Sequence, residues 1–366
     1  MIYAAPSIRA DRATWWLIIG CAAPILLISA CIAVFGVDVL FWDEFIMWAR
    51  LLEAMERHGL QLADLFAQQN EQRNAAARIV GLALLPWFRL SRLPELYVIV
   101  LLSGAGWLAL CGLYARTRRR FQVQGQRWVY ACFAWLTFST VQWQVFTVGV
   151  NTAIVTSVAC LLAGAWLLAG SPGPLRFLLA LLVGYAGSFN FANGLFYWIC
   201  LPIVLLAQES PRRSRLVRLM IWLLAGAGAW ALYFHGYVKP GHHPDLGFGL
   251  THPHVFIAFF LTYLGGPLAM DNLPFAAALT LGLGGVVFLA VNLAYCRRAG
   301  IRLFPDLAPW AAILLFALLS DLATSVGRAG FGIQQRARGT GCDARRPRSG
   351  GCVWSAFSCP ASCRCW

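Results

Sequence analysis

The sequence predicts an all-α fold, a polytopic integral membrane bundle with about nine or ten transmembrane helices. Three observations carry that expectation. The chain is 60% hydrophobic and 12% charged, with a mean hydropathy of +0.66, whereas a soluble domain carries roughly 25% charged residues. Several runs approach or exceed the ~20 apolar residues that a helix needs to cross a bilayer core. None of them alternates as a strand of a membrane barrel would.

The elements follow in chain order. Residues 1–14 form a short amino-terminal segment in which Arg9 and Arg12 set the first span's start in the cytoplasm. Trp15–Val37 is too long for the apolar part of a signal peptide and has no small-residue cleavage site after it, so a retained anchor is expected. An outer first loop, residues 38–92, precedes eight further candidate spans: Leu93–Tyr114, Trp128–Val145, Thr152–Ala169, Leu175–Phe189, Gly194–Ala207, Leu219–Phe234, Phe275–Tyr295 and Ala308–Val326. With nine spans, the arginines at 116–127, 212–218 and 297–302 fall on one side, as the positive-inside rule requires. That parity needs residues 254–270 not to cross. This short stretch carries Gly265, Gly266 and Pro267 and is expected to be re-entrant or surface-lying within an outer loop, 235–274.

Residues 336–366 depart from everything before them. They hold five of the twelve cysteines and no Leu or Ile, and show neither helical nor strand periodicity. An irregular, non-native Arg/Cys-rich tail is expected, as a reading-frame shift just after Gln335 would produce. A zinc or disulfide role for Cys359, Cys363 and Cys365 is the alternative.

The formal charge of +14 does not imply a nucleic-acid partner. The basic residues flank apolar runs and lack aromatic interleaving, which fits orientation and anionic membrane lipid better. There is no Gly-rich phosphate loop and no internal repeat.

Polar chemistry collects in the first loop, which holds seven of the fifteen acidic residues. Read as a helix, Phe41, Phe45, Trp48, Leu52 and Met55 make one apolar stripe. Asp43, Arg50, Glu53 and Arg57 fall opposite it, so the helix is expected to lie on the membrane with Asp43 in water. Asp43 and Glu44 either favour the helix's first turn through its macrodipole or do chemistry. Farther along, Asn70, Asn74 and Arg78 share a helical face with Glu71 one step around, as a solvated face or a binding surface. Residues 233–255 hold five of the six histidines and the single lysine, Lys239. His242–His243 and His252/His254 do not have the spacing of a helical zinc pair, and Lys239, His242 and His243 are candidates for phosphate contact. Asp321 lies inside the last span, where ionisable side chains are functional by default, with Arg328 seven residues on.

The pieces "WDEF", "LFAQQNEQRNAAARIVGL", "FSTVQWQVF", "SFNFANGLFYW", "YFHGYVKPGHHP", "YLGGPLA" and "GRAGFGIQQ", in order across residues 15–335, resemble a group of bacterial membrane proteins of GT-C glycosyltransferase design. Relatives tend to have histidine where Gln72 stands, and continue past "GFGIQQ" with a Ser-Arg-Tyr segment and further spans. The resemblance implies transfer of a sugar from a polyprenyl-phosphate donor to an envelope glycan or lipid acceptor, at the outer face of the bacterial inner membrane. Asp43 or Glu44 would be the general base, Arg78, Lys239, His242 or His243 would hold the donor phosphate, and Arg328 would also be a substrate-binding residue. Asn70, Glu71 and Asn74 would be substrate-binding, and Gln142, Trp143, Asn190 and Asn193 would contact sugar; these four also suit polar caps and an interfacial tryptophan. A divalent cation stays open as cofactor. The alternatives are a transporter or flippase of a lipid-linked amphiphile, for which Asp321 speaks, and an inactive truncated membrane protein.

Overall fold

The computed structural model describes residues 12–41, 43–122, 126–170, 172–241, 244–245, 247–266, 275–298 and 307–331. The tail and the pair His242–His243 lie outside them. Regular structure among the described residues is helical throughout, apart from one isolated bridge between Gln69 and Gln72. The chain divides into two compact units, Met1–Tyr233 and Phe234–Trp366.

In the first unit the helices are α1 Arg12–Phe35, α2 Asp43–His58, α3 Leu62–Leu65, α4 Ala75–Phe88, α5 Leu93–Arg120, α6 Trp128–Thr137, α7 Trp143–Thr147, α8 Thr152–Leu168, α9 Pro174–Ser188, α10 Tyr197–Cys200, α11 Pro202–Leu206 and α12 Arg212–Phe234. Helix α5 packs along α8, α8 along α9, and α1 against α6 and α5. Apolar side chains of α1, α5 and α8 meet in a core of Ile28, Ile32, Leu96, Ile99, Val100 and Val155, which Phe138 and Phe146 close. In the second unit α13 Phe248–Thr251, α14 Pro253–Gly265, α15 Phe275–Arg298 and α16 Ala308–Arg328 follow. There α14 and α15 cross backbone to backbone. A Cβ on Gly265 would strike the Ala278 carbonyl and one on Gly282 the Leu261 carbonyl, so glycine is required at both.

Among the described residues six helices are long and apolar enough to cross a membrane by length and composition: Arg12–Phe35, Leu93–Arg120, Gly149–Leu168, Arg212–Phe234, Ala277–Tyr295 and Ala308–Phe331. Three of the nine expected spans are instead short or broken. Helix α6 ends at Thr137, where the Ser139 hydroxyl accepts from the Val141 N–H at 3.3 Å and starts a 3-10 turn. Helix α9 has 15 residues, about 22 Å at ~1.5 Å per residue. Residues 192–206 split into a 3-10 turn and two short helices, because Pro202 brings no N–H to continue α10. Helix α14, with 13 residues, is also too short to span alone.

Contacts sort the first unit into two chemically opposite ends. At one end Arg120 pairs with Glu209 at 3.6 Å, Arg218 bonds the Gln208 side chain at 3.1 Å, and Gln208 bonds the Leu168 carbonyl at 3.2 Å. The carboxy end of α5, the end of α8 and the start of α12 therefore meet there. The sequence from Leu96 to Pro244 holds a single acidic residue, Glu209. At the other end the start of α5 meets the acidic first loop.

Candidate functional site

Helix α2 carries the site. Its buried face is Glu44, Met47, Trp48 and Leu51, whereas Phe45, Ile46, Leu52 and Met55 are exposed. The expected apolar stripe is thus split. Trp48 turns inward with Met47 and Leu51 against Ala77 of α4, while Phe45, Leu52 and Met55 remain exposed and Phe41 is half-buried.

This rotation takes Glu44 into the protein, 1% exposed. One carboxylate oxygen accepts from the Phe41 N–H at 2.9 Å and the other from the Val150 N–H at 2.8 Å. Arg92 lies 3.9 Å from that second oxygen and pairs directly with Glu95, three residues along α5. The Arg92 guanidinium stands 5.2 Å over the Trp48 ring, and the Arg92 N–H is accepted by Asp38. Gly149 passes so close that an added Cβ would meet Glu95, Glu44 and Arg92 together. Burial raises the Glu44 carboxyl above the usual carboxylate range, an effect the Phe41 N–H, Arg92 and the Val150 and Gly149 N–H groups partly offset. Burial likewise lowers Arg92, against Glu44 and Asp38. Two enclosed glutamates thus share one enclosed arginine. The Glu95 Oε1, Arg92 Nε and Trp48 Nε1 atoms are buried without a hydrogen-bond partner, each a costly group to leave so.

Asp43 is placed differently. It is half-exposed at the start of α2, with the Asn70 amide 3.4 Å from each of its oxygens. Its backbone carbonyl accepts from Gln69 Nε2 at 2.6 Å. The turn presenting Asn70 is closed by reciprocal Gln69–Gln72 backbone bonds of 2.8 and 2.9 Å.

Asn70 and Asn74 were expected on one helical face with Arg78, and the structure separates them. Both asparagines adopt left-handed backbone, at φ +51° and +49°, which asparagine tolerates better than most residues. The helix starts after them, at Ala75. Asn74 is buried, its amide 3.4 Å from Gln69 Oε1. Arg78, 2% exposed, donates to the carbonyls of Leu65, Ala67 and Arg73, so it staples the loop from within. Burial and the neighbouring Arg50 and Arg73 bring its pKa down to about 10. The Glu71 carbonyl accepts from the Tyr233 hydroxyl at 2.7 Å, and Arg73 bonds the carbonyls of Tyr233 and Phe66.

Asn190, also expected at a sugar, caps α4 from a distance. Its carbonyl accepts from the Arg73 and Asn74 N–H groups at 3.1 and 3.2 Å, and its side chain takes the Ala76 N–H at 2.6 Å. The Phe189 carbonyl takes that of Ala75 at 3.0 Å. The orphan donors that every helix start presents are thereby satisfied by another part of the chain. Asn193 is half-buried, while Gln142 and Trp143 are exposed, and Gln142 donates to the Leu136 carbonyl at 3.3 Å.

In the second unit Lys239 and Arg328 are exposed. Asp321 is buried in α16, with the Ser325 hydroxyl 3.5 Å from its Oδ1. Among the described residues no group of three His, Cys, Asp or Glu side chains is set to hold a metal.

Sequence reasoning missed Asp38, Arg73, Arg92 and Glu95. The signal for two of them was present. Arg92 and Glu95 are an i,i+3 pair at the mouth of the longest apolar helix, where a charge needs a partner. No family model, no curated protein and no solved structure matches this chain.

Proposed function

We propose that this chain is a membrane glycosyltransferase of GT-C type, which transfers a sugar from a polyprenyl-phosphate donor at the outer face of a bacterial inner membrane. The observation that carries the reading is the division within the acidic pair. Glu44 is enclosed and bound by backbone donors, whereas Asp43 is half-exposed, with the Asn70 amide beside both its carboxylate oxygens. A general base needs both access and a fixed direction. In the proposed step the acceptor oxygen bonds to the anomeric carbon as its proton passes to the Asp43 carboxylate. The bond from that carbon to the phosphate oxygen breaks, and polyprenyl phosphate leaves. Arg50, exposed on α2 and bonded to the Gln68 carbonyl at 3.2 Å, lies on the same loop and suits the departing charge.

The test is release of labelled sugar from a polyprenyl-phosphate donor in membranes. Asp43→Asn should lower turnover by roughly 10² to 10⁴ with unchanged expression and thermal stability. No release by the wild type with any donor of this class, or full turnover by the variant, rejects the reading. A second reading, transport of a lipid-linked amphiphile, is favoured by the buried Asp321 on α16. It predicts that the labelled lipid changes leaflet uncleaved and that Asp321→Asn abolishes the movement.

A further inference from the structure

The arginine-rich end of the first unit contains a convergence that the transferase reading does not use. Arg116 of α5 donates through Nη1 to the Ala169 carbonyl at the end of α8. Arg176 of α9 donates through Nη2 to the Trp166 carbonyl at 2.8 Å, and its guanidinium stands 5.6 Å over the Trp166 ring. Both cations bond carbonyls at the end of α8, and each feels the other's charge. Each fork spends one nitrogen on a carbonyl, and its other nitrogens have no hydrogen-bond partner among the described residues. Starting next to Arg176, α9 exposes Leu175, Leu178 and Leu182, at 68%, 51% and 57%, in an i, i+3, i+7 stripe along the helix.

We propose that Arg116, Arg176 and Trp166 form a binding site for an anionic phospholipid, with the phosphate between the two guanidiniums and an acyl chain along the leucine stripe of α9. Guanidiniums match phosphate oxygens through paired N–H bonds. A half-exposed tryptophan suits the depth of the glycerol backbone, and basic pockets between helices take such headgroups. The stripe selects a lipid over a free anion, since a soluble phosphate gains nothing from three leucines. The surrounding arginines add a diffuse attraction, whereas Arg116 and Arg176 meet at one helix end beside Trp166.

The experiment uses the full chain in phosphatidylcholine nanodiscs titrated with phosphatidylglycerol, with retained lipid counted by native mass spectrometry. Wild type should retain phosphatidylglycerol over phosphatidylcholine and resist displacement by inorganic phosphate or soluble glycerol phosphate. R116Q/R176Q should bind roughly 30-fold more weakly, as expected for two basic side chains at headgroup depth. R119Q/R213Q, which removes the same charge elsewhere on that end, should lose only a small part of this. Equal losses in the two double variants would make the attraction diffuse and overturn the site. Displacement by inorganic phosphate would reduce it to an anion site. Should R116Q/R176Q not fold, the wild-type comparison still decides, because equal retention of the two lipids refutes the proposal.

Discussion

Replacing Arg92 by methionine tests the buried cluster beneath α2. Arg92 is 3% exposed, pairs with Glu95 and lies 3.9 Å from Glu44. Its loss leaves two enclosed carboxylates without a cation, a change that typically costs about 3–5 kcal/mol. The chain can escape part of that by protonating one glutamate. For a carboxyl of ordinary pKa, about 4.3, uptake costs roughly 3.7 kcal/mol near pH 7 and roughly 1 kcal/mol near pH 5. The penalty should therefore shrink by about 2.7 kcal/mol between those conditions. A residue of it is independent of pH, from the lost stacking on Trp48. Wild type should itself slope the same way. Glu44 is raised in the fold, so its contribution is full below the unfolded carboxylate value and is lost as pH rises through the folded one. Fluorescence-detected size exclusion of heated, detergent-solubilised protein reads the outcome. The Arg92→Met midpoint should fall by something of the order of 10 °C near pH 7 and by only a few degrees near pH 5. Adding Glu44→Gln should restore part of the loss near pH 7. A deficit equal at both pH values, or absent, would refute the electrostatic account of the cluster.

Asn190→Ala should destabilise by about 1–3 kcal/mol, because the Ala76 N–H and the Ala186 carbonyl both lose their partner; the measurement is the melting midpoint together with protease sensitivity of residues 59–74. A cysteine at Gln61 should react with impermeant maleimide in intact cells, above the native-cysteine background, while one at Arg119 should not. Arg119 stands at the carboxy end of α5, about 42 Å long for its 28 residues, and Gln61 belongs to the first loop, which meets the other end of α5 through Glu44 and Arg92; equal labelling of both would contradict a separation across a membrane.

The long helices α1, α5, α12, α15 and α16 were visible in the sequence because each rests on a long apolar run, which is a local property. The breaks were visible only in part. Pro202 announces one, but the end of α6 depends on a hydroxyl at Ser139 that no apolar count registers. The orientation of α2 was ambiguous in kind. Trp48 belongs both to the predicted stripe and to the face that is buried, where it meets Arg92, 44 positions away. Asn70, Asn74 and Arg78 keep helical spacing, yet the backbone at the asparagines is left-handed. Within the acidic pair the sequence alone held Asp43 and Glu44 equal. They differ only through the backbone of Phe41 and Val150, whose approach is a matter of tertiary packing.

The cap on α4 also sets a timetable for biosynthesis. The first loop emerges early, but Asn190 follows Ala76 by 114 positions and Tyr233 follows Arg73 by 160. At the ~5–20 residues per second of translation, roughly 8 to 30 s pass before the last of these partners exists. During that interval the Arg73 groups that later meet the Tyr233 carbonyl and the N–H groups ahead of α4 have only water to bond. The segment must therefore wait in aqueous surroundings while later helices enter the bilayer, and it closes only when the end of α12 arrives. A ribosome stalled before Tyr233 would hold a protein whose helices are inserted and whose first loop is still open to protease.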